Sequence, residues 1–317
     1  MVKCLVFGGS FVVACLLWQA GAQTGPARNR EPGAFGLTLP VDEVVITFHA
    51  ADAHGLPVND LKESEIGLLD NANPPARILR FGTLSERPLR AGILIDTSES
   101  MFNDFPRIRA VATEYARHLF RQQSDKAFVM DFAYSSEFAQ SWTSDRSILS
   151  RSAADIKAGK MNPRGGTALF NALFKACQYG FDGIDPSASG NFIMLFTDGE
   201  DNAGRTTLEE ALNACQRSNV AIYAFRSRPS EGSDAEGSAV MTKLARESGG
   251  RLFDADANLE AVFDDLKVIE SDLRSEYQLI YRPSNFKRDG TFHNIVMKTP
   301  NRVATIQVRT GYFAPAN

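Results

Sequence analysis

The central part of this chain alternates apolar strands with amphipathic helices, and this alternation restricts the fold more than any other feature. The strand segments are AGILID (91–96), AFVMDFAY (127–134), EFAQSW (137–142), NFIMLFTDG (191–199), VAIYAF (220–225) and RLFDA (251–255). Helical spacing of apolar residues predicts helices over 105–121, 169–177, 207–217, 241–248 and 259–275. AFVMDFAY and EFAQSW are close enough to form a hairpin. Over residues 88–272 we therefore predict an α/β fold, a doubly wound, mostly parallel, Rossmann-like sheet with helices on both faces.

Two flanking segments, residues 41–86 and 275–317, have sequence patterns typical of β-strands. Three short strands precede the central region (43–50, 66–69 and 76–82), and three follow it (277–283, 292–300 and 304–313). Three short strands cannot bury a core by themselves. We therefore predict that both segments assemble into one small antiparallel β domain, a sandwich, into which the central domain is inserted.

The first 22 residues indicate a secretory signal peptide. Lys3 is the only charge before Arg28, an apolar run extends from Cys4 to Trp18, and small residues up to Ala22 offer a cleavage site. The run is shorter than the roughly 20 residues of a spanning helix, so no transmembrane span is expected after cleavage. Residues 23–40 are predicted to be a flexible linker. These features predict a secreted, periplasmic or cell-envelope protein, and lipid anchoring is left open.

Composition and charge narrow the functional classes. Hydrophobic residues make up 44% and charged residues 23% of the chain, as in folded proteins, and the net charge of −4 favours neither nucleic acid nor an anionic membrane. Cys177 and Cys215 remain after signal cleavage, and each lies on the apolar face of its own predicted helix. This placement favours two separately buried thiols, with a disulfide as the alternative.

Polar residues cluster where the most apolar strands end. Asp96, Ser98 and Ser100 follow AGILID, Asp198 follows NFIMLF, and Thr167 follows the glycine pair that precedes the helix leading into NFIMLF. Because AGILID and NFIMLF should be central neighbours, these side chains are expected to meet beyond the carboxyl edge of the sheet.

Carboxylate and hydroxyl oxygens are hard ligands, which suit Mg²⁺ or Mn²⁺, with Ca²⁺ as a further option, and do not suit zinc or copper. The two serine hydroxyls carry no charge, so they would hold an ion without neutralising it. The natural additional ligand is then a carboxylate of a partner protein.

The chain resembles a von Willebrand factor type A (VWA) domain over about residues 88–270. The metal-ion-dependent adhesion site of that family combines DxSxS, a distant Thr after a Gly-rich turn, and a later Asp in a TDG setting. The resemblance implies metal residues Asp96, Ser98, Ser100, Thr167 and Asp198. It implies direct coordination by both serines, direct or water-mediated coordination by the threonine, and mostly water-mediated roles for the aspartates. The flanking β segments, including TGYFAP, are similar to a group of exported bacterial proteins.

One motif position departs from the family. Glu99 stands where glycine is most common. If the loop requires a positive φ there, Glu costs on the order of 1 kcal/mol. Otherwise its carboxylate lies beside the ion, where it either tightens metal binding or competes with the carboxylate of the partner.

Three other interpretations compete with a metal-dependent binding module. The polar residues could only cap helices and turns, which would require three coincidences at one sheet edge. A Mg²⁺-dependent phosphatase of the haloacid dehalogenase kind needs a second acid two residues after the nucleophile, and Ser98 stands there. A structural spacer of an envelope assembly is the third. We predict a non-enzymatic adhesion module that binds an acidic residue of a protein ligand; the identity of the ligand and the oligomeric state stay open.

Overall fold

The computed structural model describes residues 42–85, 87–120, 122–159, 165–185, 188–226, 235–255 and 259–315. The strands in these ranges are β1 Val44–Ala51, β2 Gly67–Asp70, β3 Arg77–Thr83, β4 Leu89–Asp96, β5 Lys126–Phe132, β6 Ser136–Thr143, β7 Gly190–Thr197, β8 Val220–Arg226, β9 Leu252–Asp254, β10 Tyr277–Arg282, β11 Phe292–Lys298, β12 Thr305–Val308 and β13 Gly311–Phe313. The helices are α1 Phe105–His118, α2 Arg146–Asp155, α3 Leu169–Lys175, α4 Leu208–Arg217, α5 Ala235–Ser248 and α6 Leu259–Arg274. No helix in the described ranges is both long and apolar enough to cross a membrane. The predicted signal peptide and linker lie outside these ranges.

The central sheet has the strand order β6-β5-β4-β7-β8-β9. Its neighbouring strands run parallel except β5 and β6, which form the predicted hairpin. β4 and β7 lie side by side in the middle, and every residue of β7 is buried. A strand buried on both faces must be apolar on both faces, and AGILID and NFIMLF meet this requirement. The predicted α/β fold class is confirmed.

Helices cover both faces of this sheet. Ile93 and Ile95 of β4 contribute to a core with α1, α2 and α6, whereas Leu94 between them contributes to a core with α3, α4 and α5. Consecutive residues of one strand thus reach opposite faces, as the two-residue period of a strand requires.

The sequence reasoning missed α2. Asp145 caps this helix, because its Oδ1 accepts hydrogen bonds from the backbone N–H groups of Ser147 (2.8 Å) and Ile148 (3.2 Å). Only Leu149 and Ala153 of its ten residues are buried. Two apolar contacts give a weak periodic signal, so the cap was the better indication of a helix here.

Strands from both ends of the described chain form two antiparallel sheets, which together we call the β module (β1–β3 and β10–β13). One sheet has the order β12-β1-β10-β3 and the other β13-β11-β2. In the first, Val44 lies opposite Tyr281. The shared core includes Ile46, Phe48 and Ile295. Neither terminal segment supplies a complete sheet, so the strands of each need those of the other.

The prediction of one continuous strand over 304–313 is wrong. Its two halves, β12 and β13, belong to different sheets. Arg309 lies at the break, buried, and donates hydrogen bonds to the carbonyl oxygens of Gln216 and Val45, both at 2.7 Å. Because a guanidinium carries five N–H donors, this side chain can hold β1 and the last turn of α4 together while the backbone changes sheets.

The preference for two separate thiols is also wrong, because Cys177 and Cys215 form a disulfide with Cα atoms 4.8 Å apart. Cys177 lies in a π-helical turn, Ala176–Gly180, that continues α3, and Cys215 lies in α4. Both side chains belong to the same core. Each helix alone shows that its cysteine is on an apolar face; only the packing of α3 against α4 shows that the two faces meet.

A buried polar cluster joins the β module to the end of α6. The Nδ1 atom of His49 in β1 is 2.9 Å from Ser275 Oγ, and its Nε2 atom is 3.2 Å from Asp272 Oδ1. Burial lowers the pKa of His49 to about 4, and the charge of Arg251 adds to this effect. The ring is therefore neutral near pH 7, and it makes hydrogen bonds while Arg251 pairs with Asp272 at 2.7 Å.

Glu276, next to this cluster, makes the stability of the protein depend on pH. Burial, and secondly the carboxylate of Asp272, raise the pKa of Glu276 from 4.5 to about 8. Between these two values the folded protein binds more protons than the unfolded chain, so the free energy of unfolding falls as pH rises through this window. Glu276→Gln cannot ionise, so its stability relative to wild type should rise by about 2 kcal/mol from near pH 6 to near pH 8.5.

Urea unfolding at the two pH values measures this difference. The matched control is Glu260→Gln, at an exposed position of α6. An equal pH response of both variants would contradict the assignment of the effect to Glu276.

Candidate metal centre

The parallel pairing of β4 with β7 brings Asp96 and Thr197 together at the carboxyl edge of the sheet. Ile95 lies opposite Phe196, so the next residues of both strands leave the sheet side by side. The Thr197 hydroxyl donates a hydrogen bond to Asp96 Oδ2 at 2.6 Å. Asp96 Oδ1 accepts a second one from the backbone N–H of Ser98 at 2.8 Å. The carboxylate thus fixes the start of the loop that carries both serines.

Asp96 has no exposed surface. Burial raises the pKa of Asp96 to about 7, the charge of Asp198 raises it further, and the hydrogen bonds from Ser98 and Thr197 oppose the shift. Two acidic groups so close, one of them buried, repel each other when both are ionised. A cation at this edge would relieve that repulsion.

The two serine hydroxyls are already positioned like neighbouring ligands of one ion. Ser98 Oγ and Ser100 Oγ are 3.1 Å apart. Adjacent ligands of an octahedral ion at about 2.1 Å lie about 3.0 Å from each other. Ser98 is buried and Ser100 is exposed, so the pair opens from the protein interior towards solvent.

The threonine loop is held against the other two loops by backbone hydrogen bonds. At the end of β5, Phe132 O accepts from Thr97 N at 2.7 Å and Ala133 O accepts from Ala168 N at 2.8 Å. Thr167, between the glycine pair and Ala168, is buried. One strand end thus positions both the serine loop and the threonine loop.

Asn202 is a residue of this region that the sequence reasoning missed. Its side-chain Oδ1 accepts from Thr167 N at 2.8 Å, and its own N–H donates to Thr167 O at 3.0 Å. The loop after Asp198 is therefore linked in both directions to the threonine loop. In the stretch FTDGEDN an asparagine is typical of a turn, and nothing in the neighbouring residues indicates that it contacts Thr167.

Asp198 itself is half-buried, and its Oδ1 accepts from Glu200 N at 3.0 Å. Gly199 has φ +90°, and a Cβ there would lie 2.4 Å from Gly237 O. The turn after β7 therefore requires glycine for two reasons, its left-handed backbone and its close contact with α5.

Glu99 does not adopt a positive φ, so the expected strain at the position usually held by glycine does not arise. Its side chain is exposed. Phe102, three residues later, is also exposed, at 64%. The serine pair thus has an acidic and an aromatic side chain near it in the chain.

The donor set of this edge consists of oxygen atoms. Within the described residues there is no group of three or more His, Cys, Asp and Glu side chains that could hold a metal ion. The hydroxyl and carboxylate oxygens at this edge could hold a divalent metal ion, bound largely by hydroxyls.

Comparison with known proteins identifies the family. A model of the von Willebrand factor type A domain matches residues 92–266, more than half of the chain. The chain belongs to the VWA domain family. VWA domains are typically interaction modules that bind protein ligands.

Individual relatives cover the VWA chain unevenly. Calcium-activated chloride channel regulator 3A-1 of Mus musculus is 36% identical over 110 residues, which are 34% of this chain and 11% of that protein. Proximal thread matrix protein 1 from the mussel byssus has a TM-score of 0.50 at 13% identity, covering 64% of this chain and 50% of that one. BatB from Bacteroides thetaiotaomicron has a TM-score of 0.46 at 20% identity, with 57% and 97% covered. The mussel protein thus shares the fold, and the chain spans about a tenth of the mouse protein.

The two glycines before Thr167 provide a matched test of how the loops are locked. Gly165 and Gly166 both have a positive φ, +60° and +88°. A Cβ on Gly166 would lie 2.8 Å from Asn202 Oδ1 and from Ala203 Cβ, whereas a Cβ on Gly165 would meet nothing within 4 Å. Gly165→Ala should therefore cost about 1 kcal/mol of unfolding free energy and Gly166→Ala about 2–3 kcal/mol. Urea unfolding checks this difference, and equal costs would show that the contact of Gly166 with the side chains of Asn202 and Ala203 is not tight.

Proposed function

We propose that this chain is an exported, non-enzymatic binding protein whose VWA domain holds a divalent cation and uses it to bind a carboxylate of a protein ligand. The observation that carries the proposal is the 3.1 Å separation of the Ser98 and Ser100 hydroxyls beside the buried carboxylate of Asp96. Ser98, Ser100 and Thr167 would hold the ion, with Asp96 and Asp198 orienting its bound water.

The spacing of the serine hydroxyls supports Mg²⁺ or Mn²⁺ more than Ca²⁺. Calcium–oxygen distances of 2.3–2.6 Å would place adjacent octahedral ligands about 3.3 Å or more apart. When bound, the ion supplies a positive charge that the uncharged hydroxyls of Ser98 and Ser100 leave largely unneutralised. An anionic group of the partner would complete this arrangement.

The surroundings of the site suggest the chemistry of that partner. Phe102 offers an exposed ring, and aromatic side chains are frequent anchors in protein interfaces. Glu99 is exposed on the serine loop and would repel additional acids next to the one that reaches the ion. We therefore expect a single carboxylate flanked by apolar residues.

Two alternatives have less support. A haloacid dehalogenase-like phosphatase would need a general acid at the position of Ser98, whose hydroxyl instead pairs with Ser100. A structural spacer would retain the same fold, and it is distinguished by partner binding that does not depend on metal.

The Cys177–Cys215 disulfide supports export, since disulfides persist in oxidising compartments. Together with the signal peptide predicted at residues 1–22 it supports a secreted, periplasmic or envelope location. We further propose that residues 88–272 act as the binding domain, and that residues 41–86 and 275–317 act as the supporting β module.

Metal binding is testable by thermal unfolding of the purified chain in EDTA, Mg²⁺, Mn²⁺ and Ca²⁺. An ion at about 100 times its dissociation constant should raise the free energy of unfolding by about 2.7 kcal/mol if it binds only the folded state. Ser98→Ala should lose this gain, because it removes the buried hydroxyl. Ser141→Ala, at an exposed position of β6, is the control and should keep it. A gain that survives in Ser98→Ala would place the ion elsewhere.

Partner chemistry is testable by selecting a displayed random-peptide library on the immobilised chain in Mg²⁺ and eluting with EDTA. The enriched peptides should share one Asp or Glu, and replacing it by Asn or Gln should abolish binding. Phe102→Ala should weaken binding of the enriched peptides about tenfold or more without changing the metal-induced thermal shift. Peptides retained equally in EDTA would favour the structural spacer.

A further inference from the structure

A polar groove lies between α1 and α2, outside the metal centre. Its volume is about 550 Å³, within the range of small-ligand sites. The groove is lined by Thr113, Arg117, His118, Arg146, Ser147, Ser150, Arg151 and Ala154. Three of these residues are arginines, one is a histidine and three carry hydroxyls, so nearly the whole lining can donate hydrogen bonds.

No acid belongs to this lining. Two described acids contact residues of the lining: Glu114 of α1, whose carboxylate contacts Arg117 at 2.5 Å and His118 at 3.5 Å, and Asp145, whose Oδ1 accepts from the backbone N–H of Ser147 at 2.8 Å. Two carboxylates do not balance three guanidinium groups, and like charges around one groove repel each other. The excess positive charge is local, because the chain as a whole carries a net charge of −4.

The residues of α2 that line the groove are mostly polar or charged, unlike the apolar residues of a helix face that packs against a core. Ser147, Ser150, Arg151 and Ala154 follow the i, i+3, i+4, i+7 spacing of one helix stripe. The apolar stripe of α2, through Leu149 and Ala153, faces the core instead. The donors of the groove are therefore side chains at the surface, and the backbone N–H of Ser147 already donates to Asp145.

Arg146 is held in place at the rim of the groove. Its Nη1 donates to the carbonyl oxygen of Phe120, just beyond the end of α1, at 3.3 Å. A guanidinium has five N–H donors in a planar fork, so this bond orients the group and leaves donors for a ligand. Planar forks and hydroxyls together match the oxygen atoms of a tetrahedral oxyanion.

We propose that this groove is a binding site for a multiply charged phosphate group, with Arg117, Arg146 and Arg151 as its charged contacts. Single phosphate ions present too little charge for three arginines, whereas a diphosphate or two neighbouring phosphate esters can contact all of them. The groove lies at the opposite end of α1 from the metal centre, because Arg117 is twelve residues beyond Phe105, about 18 Å along the helix. The site is thus separate from the metal centre and does not depend on the proposed function.

Isothermal titration of the full chain with pyrophosphate in metal-free buffer tests the proposal. Arg146→Gln combined with Arg151→Gln should weaken binding at least about tenfold, since two charge-assisted contacts are lost. The matched control combines Arg77→Gln and Arg282→Gln, two exposed arginines that face each other across β3 and β10 and remove the same charge. Circular dichroism confirms that both double variants remain folded.

The site is supported if wild type binds pyrophosphate, the control variant keeps that affinity within about twofold, and the groove variant loses it. Equal weakening by both variants would show that the effect comes from net charge alone and would overturn the proposal.

A second arm of the experiment uses phosphatidylglycerol vesicles, with phosphatidylcholine vesicles as the blank. Absence of saturable binding of both pyrophosphate and vesicles would also overturn the proposal. Binding of vesicles that depends on the two groove arginines, without binding of soluble pyrophosphate, would assign the phosphate source to a lipid surface.

Discussion

The parallel pairing of β4 with β7 sets the geometry of the central sheet and of the polar site at its edge. Because both strands are buried on both faces, their registers are fixed by apolar packing and cannot slip without exposing a core. Their carboxyl ends therefore always meet, which brings the carboxylate of Asp96 within 2.6 Å of the Thr197 hydroxyl. The serine loop starts from this fixed point. A polar site can be built at this edge because the strands beneath it are apolar and rigid.

The surrounding helices are tied to the sheet and to the β module by a few buried polar side chains. Asp125, which is fully buried, accepts from the backbone N–H of Leu89 at the start of β4 and pairs with Arg274 at the end of α6 at 2.6 Å. His49 links the same end of α6 to β1. These contacts are expensive to leave incomplete, since an unpaired buried charge costs several kcal/mol. Asp125 thus connects the end of α6 to the start of β4, and His49 connects it to the β module.

The prediction from sequence succeeded where one segment carries its own signal. AGILID and NFIMLF are apolar except at one end of each, Asp96 and Asn191, so their central place in a parallel sheet followed directly from composition. It failed where the signal requires two segments at once. The Cys177–Cys215 bond, the division of residues 304–313 between two sheets, and the contact of Asn202 with the threonine loop all depend on surfaces distant in sequence. The helix α2 was missed for a different reason, because its two buried residues gave too weak a helical periodicity of apolar positions.

The fold class could be predicted from the residues alone, and so could the oxygen donors that Asp96, Ser98, Ser100, Thr167 and Asp198 offer, because apolar strand patterns and donor atoms are properties of the residues themselves. The net charge also follows from the sequence, but it is a total and does not show which charged side chains lie close together. Three features required the folded structure: the two serine hydroxyls lie 3.1 Å apart, Glu99 has no positive φ, and three arginines from α1 and α2 surround one groove. Distances between side chains are set by packing of elements far apart in the chain, and that packing is decided by the whole core at once.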